Sequence, residues 1–237
     1  MNEKAKEKFL EIRDLFRRMS HEVCVVVESY YIWRTLTFAR SIPEVGQEQA
    51  EKNAKLMALY KDFFIPTEQS HLQVFIIGLM KFFDKHPQAL SIAALIKIIQ
   101  ENKGIFTADV LQLVYPDLAA IDAIKDDYSP ITQDVVDHVE QLWEKHKGLI
   151  DSLKDVRDKQ FAHTDTKTIK GTFVPNEVEA LIEAVQEMFN KLSGCFDLSF
   201  TIWDHLKEDS VRSTQFMLEN LERGEVLQMA EIKKKWG

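Results

Sequence analysis

The chain has 237 residues, 45% hydrophobic and 29% charged, with a formal net charge of −8 and a pI near 5.4. It is long enough to bury a substantial core, and its acidity argues against a general nucleic-acid coat, which needs a basic face. With 8 glycines and 6 prolines in all, long helices are favoured over turn-rich β architecture.

A first helix is expected from about Lys4 to Arg40, because Phe9, Ile12, Phe16, Met19, Val23, Val26, Tyr30, Trp33 and Phe38 recur at helical spacing. Pro43 and Gly46 punctuate it. A second helix, from about Gln47 to Phe64, should bury Ala50, Ala54, Met57, Leu59, Tyr60 and Phe63. Pro66 then interrupts the pattern, and Thr67 is placed to cap a third helix, apolar nearly all round, that ends at His86-Pro87. Ser91 caps a short helix to about Gln100, closed by Asn102-Lys103-Gly104. Residues 105–128 read as a possible insertion of two shorter helices broken at Pro116. Pro130 opens a second long helix that carries Ile131, Val135, Val139, Leu142, His146, Leu149, Leu153 and Val156 and runs into Arg157–His163. After a polar loop from Thr164 to Pro175, Asn176 caps a helix expected to continue through Phe200 and Trp203. The remainder reads as a helical C-terminal tail, 206–237, with about two short helices around Gly224. The chain is therefore expected to be an all-α helical bundle over residues 1–205 with that tail appended.

Cys24 and Cys195 sit in apolar helical patterns and are expected to be reduced core residues. The first twenty residues lack an apolar signal core, and the run from Val74 to Met80 is too short to span a bilayer, so a cytoplasmic, membrane-free protein is expected.

The segment Arg157-Asp158-Lys159-Gln160-Phe161-Ala162-His163 carries the chemistry worth weighing. A guanidinium holds a phosphate through a two-pronged contact, and an imidazole moves protons near neutrality. Residues six apart on an ideal helix are turned roughly 240° from one another. Arg157 and His163 share a face only if the helix loosens between them or the histidine lies past its end. The plainer alternative is a helix-terminal cation and a histidine cap.

The string LKDVRDKQFAHTD resembles the signature of the HEPN superfamily, the higher eukaryotes and prokaryotes nucleotide-binding helical domains: an Arg, four to six residues and a His, with a polar residue after the Arg. With FFIPTEQSHLQVFIIGLMKFFDK upstream and the Leu79–Asp84 helix end, the chain looks particularly like the abortive-infection AbiU branch over about residues 1–205. The resemblance implies a homodimer with a composite site that cleaves RNA without a metal or other cofactor. Arg157 and His163 would be catalytic and Asp158 would orient one of them. Lys154, Lys159, Lys167 and Lys170 would hold the RNA backbone. An antitoxin or other regulatory partner is a further expectation, and a non-catalytic binding or dimerisation module is the competing one. From Asp151 to Lys170 five Lys/Arg face four Asp, so a solvated mixed-charge face also accounts for most of these lysines. A catalytic site predicts Arg157 and His163 of both subunits around one open cleft; a structural role predicts one of them buried or paired within its own chain.

Other constellations are weaker. Glu68-Gln69-Ser70-His71 has one half of a di-iron spacing without the second half, and Glu68 is better explained as an acid at a helix start. Asp84 is expected to cap a helix or partner a cation, Asp126-Asp127 to form a polar turn, and Asp204-His205 to form a polar helix edge. Tyr30, Tyr31 and Trp33 are too dense for one core and suggest a dimer contact in part.

Overall fold

A computed structural model describes residues 2–86, 88–116, 128, 132–162 and 173–236, with the side chains of 160–162 left aside. Among them the secondary structure is all helical, as the scarcity of Gly and Pro implies. The elements are α1 (Asn2–Phe38), α2 (Ile42–Val45), α3 (Gln47–Leu59), α4 (Lys61–Phe82), α5 (Ile92–Glu101), a 3-10 turn (Lys103–Ile105) and α6 (Ala108–Val114). They continue with α7 (Gln133–Lys145), α8 (Lys147–Val156), a wide π turn (Arg157–Ala162), α9 (Pro175–Asp197) and α10 (Asp204–Trp236). These fall into two compact units, Met1–Cys24 with Ile76–Ile202, and Val25–Phe75 with Trp203–Gly237. Residues 117–127 of the expected insertion, Asp126 and Asp127 among them, lie outside the described residues.

The first unit is organised on aromatic rings. Phe9 and Phe16, seven residues apart on α1, both stack on Phe196 of α9, with ring centroids 4.6 and 4.7 Å away. Phe106 meets the same ring edge-on at 5.5 Å, and all four side chains are buried. Ile150, Leu153 and Val156 form the buried stripe of α8, leaving Lys154, Asp155, Arg157 and Asp158 outside the core. Ser91 and Thr107 cap α5 and α6 by accepting from the Ala94 and Val110 amides.

Three boundaries differ from expectation in this unit. The second long helix is broken at His146, where φ −103 and ψ 7 leave the α basin between α7 and α8. The cap of α9 is Val174 rather than Asn176, with Pro175 at the first helical position. Helix α9 stops at Asp197, not at Trp203: Leu198 takes a left-handed conformation, φ 62 and ψ 17, which ends the hydrogen-bond ladder. Asn190 then ties down the following strap, donating to the Thr201 carbonyl at 2.9 Å and accepting from the Thr201 amide at 3.0 Å.

In the second unit, Leu36, Ala39, Leu56, Met57, Phe64 and Leu218 form a buried cluster. The buried face of α3 is Ala50, Asn53, Leu56 and Met57, whereas Leu59 and Phe63 are 62% and 53% exposed, contrary to the stripe read from sequence. Buried Asn53 explains the offset, because its amide donates to the Ala39 carbonyl at 2.7 Å and sets which side of α3 faces inward. Gly46, at φ 79, makes the turn into α3. Pro66 does not break α4. It lies in the second turn, exposed Asp62 loses the amide that a proline cannot supply, and Thr67 Oγ1 donates to the Phe63 carbonyl at 2.7 Å instead of capping a new helix. Glu68 is thus inside α4, where it accepts from Arg40 at 2.8 and 3.0 Å. Tyr30 and Tyr31 are buried within this unit, and Tyr30 packs edge-on against Phe75 at 5.4 Å. Helix α10 runs unbroken through Gly224, so the tail is one helix here.

Phe196→Ala should cost about 3–5 kcal/mol of stability, since three rings lose their common contact. Urea denaturation measures it, and a loss below about 1 kcal/mol would show that the ring stack is not the organising contact.

Candidate functional site

The Arg–His segment begins where α8 has delivered its last buried residue, Val156. From Arg157 to Ala162 the backbone widens into a π turn, the loosening that six-residue spacing requires if the two ends of the motif are to cooperate. His163, Lys167 and Lys170 lie outside the described residues.

Arg157 donates from Nε to Asp158 Oδ1 at 2.8 Å, and its Nη2 lies 2.7 Å from the same oxygen. The guanidinium is 28% exposed and the carboxylate 56%, so the pair is anchored at one edge and open to solvent at the other. Asp158 therefore orients Arg157. Pairing within its own chain is also what a non-catalytic role for Arg157 predicts, so the contact fits both readings. Lys159 is engaged by Asp155 at 2.6 Å, and Lys154 is half-buried on the same turn. Among the described residues Asp155 and Asp158 thus offset Lys159 and Arg157, and long-range attraction from this turn is weak.

Several groups outside the motif come together in ways that spacing did not reveal. His138 of α7 and Glu187 of α9 meet at 2.6 Å. Arg13, Arg17 and His21, four residues apart along α1, line a cleft of about 780 Å³ with Ser20, Ser199 and Thr201. Arg13 also lies over the Tyr115 ring at 5.6 Å, and Tyr115 donates to Asp197 at 3.4 Å. The regular spacing of Arg13, Arg17 and His21 was legible in the sequence; their union with the strap after α9 was not.

The remaining candidates resolve simply. Asp84 accepts from the His86 amide at 2.8 Å and serves a turn. Asp204 and His205 are exposed at the start of α10. Cys24 and Cys195 are half-buried and not joined in a disulfide, and burial pushes the Cys195 thiol up, away from reactivity. Among the described residues, no three His, Cys, Asp or Glu gather in an arrangement able to hold a metal ion, and no helix is long and apolar enough to cross a membrane.

His71 and His146 are both held below the usual histidine range by burial, helped at His146 by the positive charge of Lys145. Each is more readily protonated in the unfolded chain. Folding stability should therefore fall as pH drops from about 6.5 through the lowered values, and level off below them. Urea denaturation at neutral and mildly acidic pH tests this: the H71Q/H146Q variant should lose less stability on acidification than the wild type, and an equal loss would refute the assignment.

Compared with known proteins, the chain matches the family model for AbiU2, a HEPN family, over residues 9–217. No curated protein and no solved structure matches it.

Proposed function

We propose a function from one premise: the chain belongs to the AbiU2 family of HEPN proteins. The reading is a metal-independent endoribonuclease of a phage-defence or toxin-like system, working as a homodimer. The observation that carries it is Arg157, held at one edge by Asp158 on a widened turn, in the family's motif with His163 six residues further on.

The chemistry asked of these residues is a transesterification. The 2′-hydroxyl of a nucleotide loses its proton to His163 and attacks the adjacent phosphorus. Arg157 stabilises the negative charge that builds on the non-bridging oxygens, and Asp158 keeps the guanidinium aimed while neutralising part of its charge between turnovers. The bond from phosphorus to the 5′ oxygen breaks and that oxygen takes up a proton. The products are a 2′,3′-cyclic phosphate and a 5′-hydroxyl. Lys154, Lys159, Lys167 and Lys170 serve the backbone on either side.

A second reading draws on the same contact. Because Arg157 is paired within its own chain, the motif also suits a non-catalytic module that binds or dimerises through this face.

Incubation of single-stranded and transfer RNA with the protein in EDTA separates them. The wild type should leave cyclic-phosphate ends. Arg157→Ala and His163→Ala should each reduce the rate about a hundredfold or more, and Asp158→Asn by about tenfold or more through misalignment. A folded wild type that cleaves nothing, or cleavage that survives both alanine variants, rejects the ribonuclease and leaves the binding module.

A further inference from the structure

We infer that the cleft between α1 and the strap after α9 binds a small organic phosphate of about nucleotide size. The inference is independent of the ribonuclease reading and uses none of the motif's residues. The strap carries its side chains against the usual preference. Leu198 (41%), Phe200 (73%) and Ile202 (65%) are exposed, while Ser199 and Thr201 line the cleft. Burial alone favours the opposite register, with the apolar residues turned inward. Hydrogen bonds hold the chain in this one. The Ser199 amide donates to Asp197 at 3.1 Å, and its carbonyl accepts from the Ser193 hydroxyl at 3.1 Å. Asn190 satisfies both backbone groups of Thr201. With the backbone engaged inside the unit, the two hydroxyls are the groups that this wall offers a ligand.

The facing wall supplies cations. Arg13, Arg17 and His21 follow one another along one side of α1 at steps of about 6 Å, with Ser20 beside them. The acceptors nearby are already used. Asp14 divides its two oxygens between Arg17 at 3.0 Å and Arg18 at 3.2 Å. Asp197 divides its own between the Ser199 amide and the Tyr115 hydroxyl. One carboxylate thus serves two guanidiniums, and Arg17, with its side chain 82% exposed, keeps most of its N–H donors. Among the described residues, Arg13 is held by the Tyr115 ring at 5.6 Å rather than by an ion pair. A lining rich in donors and poor in free acceptors selects an oxyanion. Phosphate, with several acceptor oxygens, suits two guanidiniums flanked by hydroxyls. The rest of the cleft sets the rest of the ligand. Leu10, Phe16 and Phe189 form an apolar side, the two rings meeting edge-on at 5.8 Å, so the phosphate is joined to an apolar or aromatic body. The volume of about 780 Å³ falls within the roughly 300–1,000 Å³ of small-molecule sites.

Isothermal titration calorimetry of the full chain with the four ribonucleoside 5′-monophosphates and their parent nucleosides tests the proposal. At least one monophosphate should bind with a Kd of about 1 mM or tighter, and its nucleoside at least about tenfold more weakly. R17E and S199A/T201A should each weaken binding by about tenfold or more, with circular dichroism unchanged, whereas R157A should bind as the wild type does. Absence of binding by all four monophosphates overturns it. So does equal affinity for the nucleoside, binding unchanged in R17E, or binding that R157A abolishes.

Discussion

Phe196 lies between Phe9 and Phe16, and the geometry of the first unit follows from that contact. Two turns of α1 close on one ring of α9, while Phe106 fills the edge of the same ring. A ring held on three sides cannot slide along the helix, so α9 has a defined register against α1 and a defined end. One residue past Asp197 the chain turns left-handed at Leu198 and folds back under the control of Asn190. The strap that results carries Ser199 and Thr201 to the Arg13 and Arg17 side of α1.

The Arg–His segment depends on a different constraint. Helix α8 spends its apolar residues on Ile150, Leu153 and Val156, and Arg157, Asp158 and Lys159, which follow, all lie outside the core. The backbone widens there, and the first side chain on the widened turn is Arg157. Its partner is the adjacent Asp158, so the orientation of the guanidinium is set locally and survives small shifts of the surrounding helices. In an acidic protein this matters: a lone arginine would be drawn to any of several nearby carboxylates, whereas one already paired keeps its remaining donors available in a known direction.

The second unit repeats the theme of a stripe interrupted by need. Asn53 donates to the Ala39 carbonyl, and that single polar demand sets the inward side of α3 and leaves Leu59 outside. Helix α10 is anchored as far as Glu225 and then runs on without cover. Of its apolar residues there, Val226, Met229, Ile232 and Trp236 continue the side that carries buried Leu218, whereas Leu227 faces the other way.

Much of this was legible in the residues. Helical periodicity and local capping chemistry determined the all-α class, the buried stripe of α1 and the cap at Ser91, because these depend on contacts within a few residues of one another. The HEPN resemblance was likewise carried by a local string around Arg157 and the Leu79–Asp84 helix end, and the family match over residues 9–217 agrees with it. What only the tertiary structure decided were the breaks and the pairings: the kink at His146, the passage of α4 through Pro66, the stop at Leu198, the union of Glu68 with Arg40, and the long free end of α10. Each of these turns on a partner distant in sequence or on solvent reaching an exposed carbonyl. A sequence pattern records which residues prefer to be buried; it does not record which distant group will satisfy them.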